Sequence, residues 1–193
     1  MVKMAKAVGD STGLSAALRF DNRRSTTGWV AFFAGAAVRW SSRRQQGVAN
    51  STCEAEYYAA HDAGCAALQM RALFRDLGHA QLEPTPLLED NQACIKLSTN
   101  VFSNSRKSAH IDARYHRLRH EVVNARSLRF VYVPTADQAA DALTKPLPAP
   151  AVRRFHDAMA GTAPLPLPDL AGPPGRIGLS VLRPDKFPDL RMV

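Results

Sequence analysis

Residues 51–78, STCEAEYYAAHDAGCAALQMRALFRDLG, carry a long helical pattern without a proline. Ser51 and Glu54 have the spacing of a capping box at its start. Ala59, Ala66, Met70, Leu73 and Leu77 recur at helical spacing along one face. Gly78 is a suitable residue for the left-handed stop. A helix of this length with one apolar stripe needs another layer to cover it.

The flanking segments supply that layer. GWVAFFAGAAVRWSS, residues 28–42, is aromatic and β-branched with Gly35 near its middle, which predicts two antiparallel strands and a tight turn. TPLLED is a short strand after Pro84, followed by a short helix in NQACIKLSTN. SNSRKSA is a basic loop leading into a basic helix over residues 110–126. LRFVYVP is a strand ending at Pro134, and two helices follow in DQAADALTK and APAVRRFHDAMAG. The order is that of a mixed α/β fold with helices flanking a sheet. The opening MVKMAKAVGDSTGLSAALRF is rich in Ala, Gly and Ser and reads as a poor first strand. From Thr162 onward prolines punctuate a segment with few aromatics, so residues 162–193 are expected to be a disordered tail.

Composition narrows the function classes. The 193 residues suit one domain with an appendage, and 46% hydrophobic residues suffice for a core. A formal net charge of +8 favours a polyanionic partner, nucleic acid above all. Cys53, Cys65 and Cys94 are odd in number and lack CxxC spacing, as expected of free thiols in a reducing compartment. No apolar run reaches membrane-spanning length, so a soluble intracellular protein without a membrane partner is expected.

Three acids stand where a lone carboxylate is disfavoured. Glu56 lies in the first turns of the long helix, Asp90 ends an apolar strand, and Asp141 sits among small apolar residues. Taken singly, Glu56 and Asp141 suit helix N-termini and Asp90 suits a helix cap. Taken together, they suit a site in which magnesium takes carboxylate oxygen. Two such ions about 4 Å apart can activate a water and stabilise the leaving oxygen of a phosphodiester.

STCEAEYYAA, EDNQACI, HIDARYHRLRHEV and ADALTKPLP occur in this order, together with DNRRSTTGWV and VRWSSRRQ. This set closely resembles the ribonuclease H domain of copia-type retrotransposon polyproteins, from about Phe20 to Gly161. The resemblance implies the ribonuclease H-like fold, a mixed five-stranded sheet flanked by helices. It places the domain over residues 19–161, after a degenerate or truncated segment over residues 1–18. It implies hydrolysis of the RNA strand of an RNA–DNA hybrid with two magnesium or manganese ions, in a polyprotein that also carries a reverse transcriptase domain. Residue by residue, the family's acids fall on Glu56, Asp90 and Asp141, which leaves Glu54 as a capping acid and Glu89 as a neighbour.

The fourth acid departs from the pattern. The family places an Asp on its first strand, in a stretch like YSDADWAGD, and counting back from RRST puts Gly13 there. Asp10, three residues earlier, is the candidate fourth ligand. Without it the position that bridges both metals is empty, and an inactive remnant that binds nucleic acid is the alternative. A further alternative is an interaction module that uses the proline-rich tail. For nucleic-acid contacts the basic loop and helix offer Arg106, Lys107, His110, Arg114, Arg117 and Arg119, which would meet phosphates and set position more than sequence. The loop looks one residue longer than usual, because Ser108 and Ala109 separate Lys107 from His110. Tyr57, Tyr58 and Trp40 suit either stacking on bases or packing between sheet and helix.

Overall fold

A computed structural model of the chain describes residues 2–8, 24–99 and 112–164, with backbone alone for residues 2–8 and 112–115. The expected hairpin is present. Strands β2 (Thr26–Phe33) and β3 (Ala36–Arg44) pair antiparallel, with Thr26 opposite Arg44 and Phe33 opposite Ala36. The turn between them runs through Ala34 and Gly35, and Gly35 has φ +92°, a region glycine enters without a Cβ penalty.

On the other side of β2 lies β1 (Val2–Val8), antiparallel, with Lys6 opposite Gly28 and Val8 opposite Thr26. The opening segment, a poor strand by composition, therefore contains one. Pairing with an aromatic, β-branched neighbour outweighs its weak intrinsic preference. Its sequence, VKMAKAV, carries no acid. Strand β4 (Thr85–Glu89) runs beside β1 and pairs in parallel with β5 (Leu128–Tyr132), Thr85 opposite Leu128 and Glu89 opposite Tyr132. The five strands thus follow the spatial order β3-β2-β1-β4-β5, with ladder bonds joining the first three and the last two.

The long helix, α1 (Thr52–Asp76), begins as its sequence indicates. The Ser51 hydroxyl accepts the Glu54 N–H at 3.1 Å, while the Glu54 carboxylate accepts the Asn50 N–H at 2.7 Å. Gly78, just past its end, has φ +81°. The buried face differs from the expected one. It is made by Ala55, Tyr57, Ala59, Ala60, Ala63, Gly64, Ala66, Ala67 and Met70, whereas Leu73 and Leu77 are 56% and 62% exposed. Past Met70 the sheet side of the helix passes to Phe74, whose ring stacks on Phe33 of β2 at 4.5 Å. The Arg71 guanidinium donates to the carbonyls of Gln81 and Glu83 and to the Thr85 hydroxyl, and so fixes the approach to β4.

Side chains alternate across the sheet, as strand geometry requires. Trp29, Ala31, Leu87 and Leu128 pack with α1 on one face. Val30, Phe32, Leu88 and Val133 pack on the other face with Ala139, Ala140 and Phe155. Short α2 (Gln92–Thr99) follows β4, and α3 (Asp112–Arg119) runs into a π-helical turn over His120–Asn124. The last described helix, α4 (Ala149–Ala160), buries Phe155 and Ala158 and stops at Gly161, φ +75°. No helix among the described residues is long and apolar enough to cross a membrane. The expected disordered tail lies beyond Pro164, outside the described residues, apart from Thr162–Pro164.

The segment DQAADALTK departs from expectation. It forms two 3-10 turns, Thr135–Asp137 and Ala139–Leu143, in place of an α-helix. The reason is how closely it lies on β2. A Cβ at Gly28 would stand 2.4 Å from Thr144 Cγ2 and 3.2 Å from the Ala140 carbonyl oxygen. The Ser42 hydroxyl also donates to the Leu143 carbonyl at 2.5 Å, tying the turn to β3. Gly28→Val should therefore force the turn off β2. The expected loss is about 1–3 kcal/mol, in the range of overpacked cores, read as a lower urea midpoint.

Candidate active site

The chain buries several carboxylates, and this is its main electrostatic cost. Glu56, in the second turn of α1, is 2% exposed. Glu89, the last residue of β4, is 1% exposed, and its Oε1 accepts the Asn91 N–H at 3.0 Å. Asp141, in the second 3-10 turn, is 2% exposed and lies 2.5 Å from the Lys145 ammonium. Asp90 is half-buried in the bend after β4.

Strand alternation decides which acid of the Glu89–Asp90 pair meets α1. Leu87 packs on the α1 face and Leu88 on the opposite one, so Glu89 follows Leu87. Two thiols locate it. Burial and then the charges of Glu89, Glu56 and Glu54 raise the Cys53 thiol above its usual value. Burial, Glu89 and Glu56 push the Cys94 thiol up further. Glu56 and Glu89 thus share one neighbourhood, between the start of α1 and the start of α2. Glu89, a neighbour of the family's acid by its motif, is brought toward α1 by its place two residues after Leu87 on an alternating strand, a signal present in the sequence.

One expected cap changes hands. Asn91, not Asp90, caps α2, its Oδ1 accepting the N–H groups of Ala93 and Cys94 at 3.0 and 3.1 Å. Glu54 accepts from the Tyr58 hydroxyl at 2.7 Å and from Asn50. Tyr57 is fully buried, which makes it a core residue, whereas Trp40 is 63% exposed. Gln45 ties the sheet to the same end of α1, its side-chain amide donating to the Thr27 hydroxyl and the Ala55 carbonyl.

The remaining candidates divide by position. Asp10, Arg106, Lys107 and His110 lie outside the described residues, as does the side chain of Arg114. Arg117 is exposed on α3. Arg119 is half-buried and donates to the Leu97 carbonyl at 3.4 Å, which ties α3 to α2.

The donor chemistry suits a hard divalent cation, since carboxylate oxygens are what magnesium takes. The placement does not complete a site. Among the described residues no three acids, histidines or cysteines come together closely enough to hold an ion. Asp141 is also engaged by Lys145.

With the geometry in hand, comparison with known proteins is specific. No protein-family model matches the chain. Over 128 residues, 66% of its length, it is 41% identical to the retrovirus-related Pol polyprotein from transposon TNT 1-94 of Nicotiana tabacum. Over 135 residues, 70% of its length, it is 35% identical to the retrovirus-related Pol polyprotein from transposon RE1 of Arabidopsis thaliana. The chain spans only 9% of the length of each of these relatives. Among solved structures it is similar to LC11-RNase H1, isolated from compost by a metagenomic approach, with a TM-score of 0.51. That match covers 74% of this chain and 90% of the other at 16% identity, a likeness of fold.

The Asp141–Lys145 pair yields a measurable consequence. Lys145→Met keeps the length of the side chain but removes the cation beside a buried carboxylate. It should lower stability by about 1.5–3 kcal/mol, the scale for hydrogen bonds to charged groups, in chemical denaturation at neutral pH.

Proposed function

Because this chain is a homologue of copia-type retrotransposon Pol polyproteins and has the ribonuclease H fold, we propose that it acts on RNA–DNA hybrids as a ribonuclease H domain. In this reading it hydrolyses the RNA strand within a parent polyprotein that also carries reverse transcriptase. The observation that carries it is the burial of Glu56 and Glu89 in one neighbourhood at the end of β4, with half-buried Asp90 next in sequence. A fold that only needed a core would place apolar residues there.

The acids have distinct parts. Glu56 is presented by α1, Asp90 by the bend after β4 and Asp141 by the 3-10 turn packed on Gly28. Asp10 is the fourth candidate, two residues beyond the end of β1. Magnesium or manganese, when bound, would supply the activation of water and the neutralisation of phosphate charge. No hydrolytic step is assigned to a metal on the acids described, because they do not bring three ligands together. The excess of positive charge would hold the hybrid by its phosphates, with Arg117 and the basic segment before α3 as contacts. Shape and 2′-hydroxyls would distinguish the hybrid from DNA duplex.

A second reading has its own support. Strand β1, between β2 and β4, carries no carboxylate, and Lys145 pairs with Asp141. In that reading the domain binds hybrid without cutting it.

A labelled RNA–DNA hybrid incubated with the full chain and magnesium or manganese separates the two. Cleavage that falls at least about a hundredfold in both Asp90→Asn and Asp10→Asn, the scale of a lost catalytic group, supports the first reading and places the fourth acid at Asp10. Folded protein that retains hybrid in a salt-dependent manner yet leaves it intact establishes the second. Absence of both binding and cleavage overturns both.

A further inference from the structure

Further along α1 from Glu56, its middle carries a different cluster. Cys65 and His61 lie one helical turn apart, with Cys65 Sγ 3.7 Å from His61 Nε2. His61 Nδ1 is 3.6 Å from Asp62 Oδ1, and Asp62 Oδ2 accepts from the Arg43 guanidinium at 2.5 Å. A thiol, an imidazole, a carboxylate and a guanidinium are thus joined across α1 and β3.

Among the described residues, Cys65, Asp62 and Arg43 of this cluster border a groove. The groove, of about 380 Å³, lies between α1 and β3 and is lined by Cys65, Asp62, Arg43, Arg39, Trp29 and Trp40. Arg39 is held over the Trp29 ring, 5.7 Å from its centroid, and donates to Gln69 at 2.8 Å. The half-buried Cys65 reaches the groove wall, while Trp40 stands at the lip.

We propose that Cys65 is a thiol modification site that exchanges with anionic disulfides of the size of glutathione disulfide, which enter through the arginine-lined groove. In the step, the Cys65 thiolate attacks one sulfur of the disulfide. The protein–ligand S–S bond forms as the ligand's S–S bond breaks, and the second glutathione leaves as a thiolate that takes a proton from water. Cys65 is oxidised, the departing half is reduced, and no other reagent is needed.

The surroundings favour the nucleophilic form. His61 hydrogen-bonds the Cys65 thiol and holds it below its usual value, and Arg117 of α3 adds a further positive charge. His61 is itself raised to about 9 by its contacts with Asp62 and Cys65, so its imidazolium persists through neutral pH. The charged groups around the thiol are His61 and Asp62 on α1, Arg39 and Arg43 on β3, Arg117 on α3 and Glu121 on the π-helical turn. Cations outnumber acids, and Asp62 is already engaged by Arg43. Cys53 and Cys94 lie in the opposite environment, raised by burial and by Glu56 and Glu89. One chain therefore contains its own controls.

The test uses the full chain in its reduced form with glutathione disulfide at pH 7, followed by intact mass and peptide mapping over time. The expected result is one glutathionyl group on Cys65 before either other cysteine reacts, and none in Cys65→Ser. Anionic glutathione disulfide should outpace cationic cystamine by about tenfold, after correction for each reagent's rate with free cysteine. His61→Asn should slow the reaction about tenfold at pH 7 and move its pH midpoint upward. Arg43→Ala should reduce the preference for the anionic reagent. The proposal is overturned if Cys53 reacts as fast as Cys65, if cystamine matches glutathione disulfide, or if His61→Asn shifts neither rate nor midpoint. Should that variant fail to fold, the first two comparisons, made on the unaltered chain, still decide.

Discussion

The close approach of α1 to the sheet sets everything else. Its buried face is built mainly of small residues, with Ala59, Ala60, Ala63 and Ala67 at or near zero exposure. Gly64 marks a tight point, since a Cβ there would stand 3.0 Å from Leu118 of α3 and 3.2 Å from Leu128 of β5. Bulk comes from the strands instead, through Trp29, Leu87 and Leu128. Small residues on the helix and large ones on the sheet let the two layers interlock with few voids. Because the helix is held this near, Glu56 at its start is drawn into the same dry layer as Glu89. The burial of Glu56 and Glu89 thus goes with a helix face of small residues.

The same helix is electrically divided along its length. Near its start, Glu54 and Glu56 with Glu89 surround Cys53 and raise its thiol. Nine residues further on from Glu56, His61 and Arg117 act on Cys65 in the opposite sense. Nine residues at about 100° each place Cys65 half a turn away from Glu56, toward the β3 rim. The two ends of one rigid element thus present fields of opposite sense to Cys53 and Cys65.

Much of the fold was legible because its signals are local. Ser51, Glu54 and Gly78 marked the ends of α1, and Gly35 marked the hairpin, since caps and turns depend on nearby residues alone. What escaped depends on distant partners. Strand β1 owes its conformation to β2, and Leu73 and Leu77 are exposed while Phe74 takes the sheet side of the last turns, stacked on Phe33. The turn through Asp141 is 3-10 because Gly28, more than a hundred residues earlier, lets it sink onto β2. At the candidate site, residue types and order were readable from the motifs. The burial of Glu89 required knowing which face α1 covers, and the engagement of Asp141 by Lys145 required the turn geometry.

Strand β3 forms the outer border of the three-stranded sheet, and among the described residues no strand lies beyond it. Such a border offers unpaired backbone groups to any passing strand. Here Arg39, Arg43 and Arg44 lie along it. A second copy of the chain approaching edge to edge would bring like charges together over several residues. An anionic partner would meet the reverse. The arginines that line the groove would thus also oppose edge-to-edge pairing of β3 with a second copy of the chain.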